Sequence, residues 1–298
     1  MALSVSTDKI GEDGRELLSY GSPDYPIAFF DDDLTEVMVP WHWHDEYELV
    51  YICEGRERVQ VAGRAFEVEA GQGYFVSHAI LHSAELLTER GRQWAMVFGD
   101  RLIGSPMDIY WKKYIQPVRD NPNLDFEIFS PECTWQKEVL DRMKEVFEAG
   151  AYDVEDDCLL VREGMSRIFS LITKHMPDAT PQENREKIER QEERLKIMLS
   201  FMEGNLSENI YVGDIASSAG VSVSECLRCF RDVMDATPIN FLRSLRLERA
   251  SELLAQGSGS SVTEVAGQVG FTDMSYFTRE FRKQFGKTPR EYRKEIRN

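Results

Sequence analysis

Between residues 25 and 100 apolar and polar positions alternate over short stretches. YELVYICEG, RVQVAG, AFEVEAG and GYFVSH are β-branched and aromatic runs separated by turn signals at Ala62-Gly63 and Gly71-Gln72-Gly73. A period of two predicts strands, and several short strands at this spacing predict a small barrel or sandwich. After Cys133 the period lengthens. In WQKEVLDRMKEVFEAG, Val139, Leu140, Met143, Val146 and Phe147 recur at three and four. After a break near Tyr152-Asp153, CLLVREGMSRIFSLITKHM repeats the pattern with Leu159, Leu160, Ile168, Leu171 and Ile172. These are two helices whose apolar faces pack on the barrel or on a partner chain. From Pro177, PDATPQEN has the prolines and polar side chains of a linker, and the remainder reads as helical.

The pattern predicts a mixed, two-domain chain. A β-barrel over residues 20–132 is followed by a helical dimerisation or packing segment over 133–176. A linker over 177–187 then leads to an all-α domain over 188–298.

The all-α part contains an internal repeat. IASSAGVSVSECLRCFRDVMDATP, from residue 215, lies over VAGQVGFTDMSYFTREFRKQFGKTP, from residue 265. Ala216 and Gly220 match Ala266 and Gly270. Arg228, Phe230, Arg231, Thr237 and Pro238 match Arg279, Phe281, Arg282, Thr288 and Pro289 with one residue more in the second turn. In each copy a short helix stops at a glycine able to visit positive φ. A second helix starts at once, capped by Ser222 with Glu225 three residues on, and in the other copy by Asp273. Helix, tight turn, helix is the shape whose second helix fits the major groove. A single copy would equally suit an ordinary helical hairpin. Between the copies, INFLRSLRLERASELLAQ is apolar at Phe241, Leu242, Leu245, Ala250, Leu253 and Leu254, as a buried spacer helix would be.

With the repeat and VGFTDMSYFTREFRKQFGKTPREYR in view, residues 196–298 resemble the DNA-binding domain of the AraC/XylS regulators. The resemblance implies seven helices, with two recognition helices entering successive major-groove segments of promoter DNA. It directs Ser224, Leu227 and Arg228 on the first and Ser275, Thr278 and Arg279 on the second toward bases. Arginine pairs with guanine O6 and N7 in a bidentate way, which makes Arg228 and Arg279 the expected readers. Arg231, Arg282, Lys283 and Lys287 are expected on phosphates, which position without reading sequence. Phe230, Phe281 and Phe285 repeat at packing positions.

A net charge of −17 over 298 residues argues against nucleic acid only until its distribution is seen. Residues 195–298 hold 14 basic and 13 acidic side chains, leaving 21 and 39 for the first 194, and residues 270–298 hold 8 basic against 4 acidic. The acidity belongs to the barrel and its helices.

The stretch WHWHDEYELVYICEG carries the other candidate chemistry. On one extended strand His42, His44 and Glu48 share parity and point to one side, and His82 from HAILHSA is the expected fourth partner. His42-x-His44, Glu48, Gly55 and the downstream His82 resemble the first and second cupin motifs. Three histidines and one carboxylate suit Zn, Fe, Mn or Ni. The pattern departs from cupin enzymes in having Glu69-Ala70-Gly71 where they commonly have Pro-x-Gly, and Leu86 in place of a usual Asn. A transition-metal site, a metal-free effector pocket and structural histidines all remain open. Trp41, Trp43, Tyr47 and Tyr74 suit either stacking on a sugar ring or packing.

Cys226-Leu-Arg-Cys229 lacks the second pair that a zinc site needs, so two small apolar helix positions are expected. No run is long and apolar enough for a membrane span, and the N-terminus lacks a secretion signal. The sequence therefore leads to the expectation of a cytoplasmic, homodimeric transcription regulator that contacts promoter DNA and RNA polymerase, not membrane, under a small-molecule effector such as a sugar. The rival is a metal-dependent cupin enzyme with an appended helical domain. A third reading has the helices bind protein instead of DNA.

Overall fold

The computed structural model describes residues 3–4, 15–16, 20–35, 39–152, 156–179, 185–255 and 260–296. The chain divides into two compact units, one ending at Glu189 and the other running on from Arg190.

Among the described residues the first unit has nine strands: β1 (Ile27–Asp33), β2 (Val39–His42), β3 (Tyr47–Glu54), β4 (Arg56–Val61), β5 (Arg64–Glu69), β6 (Gly73–Val76), β7 (His82–Leu86), β8 (Arg92–Phe98) and β9 (Phe126–Phe129). They form two antiparallel sheets in the orders β1-β8-β3-β6-β9 and β2-β7-β4-β5. The alternation seen in the sequence decides the faces. Ala28, Phe30, Val50, Ile52, Tyr74, Val76, Ala95 and Val97 of the larger sheet meet Val59, Val61 and Val68 of the smaller one in the inner core. The β4–β5 hairpin turns at Ala62 and Gly63, both at positive φ (48° and 74°), the requirement of its two-residue turn.

The opposite parity of the larger sheet packs against helices. After α1 (Gln116–Arg119) come α2 (Thr134–Ala151) and α3 (Asp157–His175). Their Val139, Leu140, Met143, Val146, Phe147, Val161, Met165, Ile168 and Phe169 join Ile27, Phe29, Tyr47, Leu49, Phe75, Met96 and Phe98 in one core. Phe169 meets Tyr47, Phe75 and Phe98 edge-on at 5.4–6.2 Å between centroids, and Trp94 stacks on Phe147 at 4.4 Å. Each fully buried aromatic here contributes about 1.5–3 kcal/mol of transfer free energy. One alternative is decided and one expectation corrected. Tyr47 belongs to this helix-facing core, because its parity opposes that of Glu48. Leu159 and Leu160 do not join the buried face; they are 56% and 43% exposed, because α3 starts at Asp157 and its inward face begins at Val161.

Residues 180–184 of the expected linker lie outside the described residues. Just before them, Asn121 and Asn123 donate side-chain hydrogen bonds to the carbonyls of Pro177 (2.8 Å) and Asp178 (2.6 Å). The helix α4 (Arg185–Gly204) takes in the last three residues of the expected linker, since REKIERQEERLKIM is rich in helix-forming residues.

The second unit continues with α5 (Val212–Ser218), α6 (Val223–Met234), α7 (Pro238–Ala255), α8 (Val262–Gln268), α9 (Met274–Phe285) and α10 (Pro289–Ile296). The helix α7 packs against α5, α6, α8, α9 and α10. It buries Leu247, with Phe241, Leu242, Ala250 and Leu254, and leaves Leu245 half-buried. Cys226 and Cys229 are both buried, free thiols on α6.

Candidate functional site

His42, His44 and Glu48 were expected on one strand. The chain instead breaks between them: β2 ends at His42, His44 lies in the following turn, and Glu48 starts the inward face of β3 in the other sheet. Convergence survives because β2 has an irregularity between Val39 and His42, which brings His42 opposite His82 of β7. The four candidate ligand atoms lie within 4.8 Å of one another, and all four residues are buried.

Each imidazole is oriented from behind. His42 Nδ1 faces the Pro40 carbonyl at 2.9 Å, His44 Nδ1 the Glu46 carbonyl at 3.1 Å, and His82 Nδ1 the Ile80 carbonyl at 2.8 Å. A carbonyl can only accept, so each Nδ1 carries the proton and each Nε2 keeps its lone pair, as in metal-ligating histidines. The Nε2 atoms of His82 and His44 lie 2.8 and 3.7 Å from Glu48 Oε2. None of these three atoms has a partner in hydrogen-bond geometry, although all are buried.

Electrostatics agree with a donor set. Burial, reinforced by His82 and His44, pushes His42 down to about 3, so it is a neutral donor at neutral pH. Burial pushes the Glu48 carboxyl up, but the adjacent His44 and His82 imidazoles outweigh it and hold Glu48 well below the usual carboxylate range, while burial lowers His44 and Glu48 raises it by more. Buried polar atoms left unpaired are costly. Three nitrogens and one carboxylate that converge without satisfying one another fit a transition metal.

Glu16 was not found from sequence. Its backbone N–H donates to Trp43 (2.9 Å), its Oε2 lies 3.9 Å from His42 Nε2, and the Tyr20 hydroxyl donates to the same carboxylate oxygen. It sits in a stretch without periodic pattern, so no signal marked it. Glu57 was missed despite a signal: in RERVQV it shares parity with the buried Val59 and Val61, and a carboxylate at an apolar phase stands out. It is 0% exposed.

In the second unit the expected DNA-facing side chains lie along α6 and α9. Ser224, Leu227, Arg228, Arg231, Ser275, Arg279, Arg282 and Lys283, with Lys287 beyond α9, are exposed, and Thr278 is half-buried. Opposite faces carry Cys226, Cys229 and Phe230 on α6 and Phe277 and Phe281 on α9. Acidic neighbours hold the arginines: Arg228 pairs with Glu225, which also pairs with Arg194 at 3.1 Å. Arg231 pairs with Asp232 at 3.1 Å. Arg279 pairs with Glu280 at 3.2 Å and lies 5.1 Å over the Tyr276 ring. Among the described residues no helix is long and apolar enough to cross a membrane.

Residues 25–100 match the model of an AraC-like ligand binding domain, and residues 215–295 that of a helix-turn-helix domain. The HTH-type transcriptional regulator YdeC of Bacillus subtilis is 27% identical over 289 residues, covering 96% of this chain and 97% of that protein. The HTH-type transcriptional activator RhaS of Escherichia coli O1:K1 is 30% identical over 260 residues, covering 87% of this chain and 89% of its own. A crystal structure of an AraC-type DNA-binding-domain regulator from Chromobacterium violaceum is 34% identical over 35% of this chain and 92% of its own, with a TM-score of 0.34.

Proposed function

Since this chain belongs to the AraC/XylS family of transcriptional regulators, we propose that it is a promoter-binding protein whose barrel senses a small polar effector beside a resident transition metal. The observation that carries the metal is the convergence of His42, His44 and His82, each held from behind by a backbone carbonyl, on a buried Glu48 oxygen without a hydrogen-bond partner. Zn, Fe, Mn or Ni would be held by these four residues and would offer a Lewis-acidic position to an effector oxygen or nitrogen. The protein's own part is to keep three imidazoles and one carboxylate buried and oriented toward one point. Membership of a regulator family favours sensing over the enzyme reading.

Arg228 and Arg279 read bases, with Ser224, Leu227, Ser275 and Thr278 beside them. Arg231, Arg282, Lys283 and Lys287 face phosphates. Effector binding shifts a population between arrangements that differ in DNA affinity. We read the protein as a cytoplasmic homodimer acting on RNA polymerase. A sugar is one candidate effector class.

Metal content decides the first part. Elemental mass spectrometry of untagged protein is expected to give one transition-metal equivalent, absent from the His42→Ala/His44→Ala variant. Metal-free wild-type protein that still binds DNA would refute the metal and leave the regulator.

A further inference from the structure

The interior of the sandwich has a second polar end. Glu57 is 0% exposed, and neither of its carboxylate oxygens has a hydrogen-bond partner. Gln93 is 3% exposed, and its Oε1 is likewise without one. Glu57 feels the charges of both Glu48 and Asp32, which puts it within reach of the histidine cluster on one side and of the rung that holds Asp32 and Gln93 on the other. Glu57 of β4 lies opposite Leu86 of β7, whereas His82 of β7 lies opposite Val61. Four residues of strand, about 13 Å, separate those two rungs. Gln93 of β8 pairs with Asp32 of β1 and Ile52 of β3, and Asp32 is buried as well.

We propose that Glu57, Gln93 and Asp32 form the polar end of the effector chamber and bind the ammonium group of an amine-bearing small molecule. The inference rests on reading the barrel as the effector-binding unit, and it names the chemistry of that effector.

The unmet atoms are the two Glu57 oxygens and the carbonyl oxygen of Gln93; a cation that binds here displaces the Glu57 proton and then meets acceptors alone. The inner core of the two sheets is otherwise Ala, Val, Ile, Phe and Tyr, and among the described residues no lysine or arginine is buried. Among the described residues nothing supplies donors to the Glu57 oxygens or to Gln93 Oε1, and a ligand can. An ammonium brings three donors and the opposite charge, whereas a hydroxyl brings one donor and no charge. Charge crowding points the same way. Burial pushes Glu57 up to about 8, and the Glu48 and Asp32 carboxylates push it further in that direction, so a cation relieves what the fold imposes. Purely structural buried carboxylates are normally paired. A surface cleft of about 330 Å³, lined by Gly55, Arg56, Glu69, Ala70 and Thr88, lies at the same end of the strands.

The test uses the full chain with three probes: glucosamine, glucose and putrescine. Glucose keeps the sugar ring but has a hydroxyl where glucosamine has its ammonium. Thermal shift and calorimetry are expected to show at least one of the amines binding the wild type, and glucose at least tenfold weaker. Glu57→Gln is expected to remove that preference. Glu57→Leu is expected to raise the melting temperature of the ligand-free protein, because it removes an unpaired buried carboxylate. Equal binding of glucose, amine binding that survives Glu57→Gln, or no binding of either amine would overturn the proposal. So would a lowered melting temperature in both Glu57 variants, which would make the residue structural. Sequence-specific DNA binding by the same preparations reads the regulator assignment separately, so loss of one leaves the other standing.

Discussion

The two helix-turn-helix units descend from one pattern yet are built with different tolerances. In the second, Gly270 sits at φ 81° with the Leu206 carbonyl and the Arg246 guanidinium where a side chain would start. In the first, Gly220 sits at φ 64° facing open space. The second recognition helix packs Phe277, Phe281, Phe285 and Tyr292 ring to ring at 4.5–5.6 Å. The first uses two cysteines, Phe230, Val233 and Met234. The second ends on Gly286 in the left-handed region, the first on Asp235. At each point the second unit has the residue that fits its backbone most closely. Matching sequence positions can thus carry one fold with unequally close packing.

The sharpest way to break this comparison is at the turn glycines. Gly270→Ala forces a Cβ to 2.4 Å from a backbone carbonyl, on top of the cost of a left-handed non-glycine residue. A loss on the order of 3 kcal/mol is expected. Gly220→Ala meets nothing within 4 Å, and only the conformational cost of about 1 kcal/mol remains. Chemical denaturation of the two variants measures both. Equal losses would remove the asymmetry.

Next in size is base reading. Arg228→Ala and Arg279→Ala are each expected to weaken specific DNA binding about tenfold or more and to relax preference at one position. The two arginines start differently. Arg228 must leave Glu225, which Arg194 holds in place, whereas Arg279 lies on Tyr276 beside Glu280. Glu225→Gln is therefore expected to raise affinity at the first half of the site, and electrophoretic mobility shifts on sites altered half by half would show it. Lys283→Ala is expected to lower affinity for all sequences and to reduce the salt slope by about one. A uniform loss in the two arginine variants, with no change of preference, would make them phosphate contacts too.

These differences also mark how far sequence reading reaches. The repeat, the caps at Ser222 and Asp273 and the paired arginines are local, so spacing alone exposed them. Strand runs and the β4–β5 turn were equally legible, because alternation and Ala62-Gly63 are short-range signals. The metal candidates were found by type, but the geometry that unites them was not. A shared strand was assumed, while the structure uses an irregular β2, a turn and two sheets. Glu16 reaches His42 through chain crossing that no periodicity records. Leu159 and Leu160 show the converse error, since helical period predicts an apolar face and not where the sheet beneath it begins.

Capping gives a smaller contrast. The Asp273 side chain accepts from the N–H groups of Ser275 and Tyr276 at 2.7 and 3.0 Å, whereas Ser222 accepts only from Glu225, at 3.2 Å. Ser222→Ala is expected to cost about 1 kcal/mol. Asp273→Ala should lower the melting temperature further, and a reversed order would mean that tertiary packing rather than the cap fixes the start of α9.

The finest test is at the helix ends. Asp235 occupies φ 48°, ψ 34°, and donates its N–H to the Arg231 carbonyl at 3.2 Å while Ala236 reaches back to Phe230 at 3.4 Å. This is the closing turn that glycine normally fills, and Gly286 fills it in the other unit. An aspartate there bears conformational strain and sets a negative charge against the negative end of the helix dipole. Asp235→Gly is expected to stabilise the protein by about 0.5–1 kcal/mol, after the extra freedom that glycine brings to the unfolded chain. Asp235→Asn separates the two causes, because it removes the charge and keeps a side chain at positive φ. If Asn recovers the whole gain, electrostatics explains the weaker end of α6. If Asn recovers little and Gly all of it, the backbone does, and the first unit's slack is written in its dihedral angles.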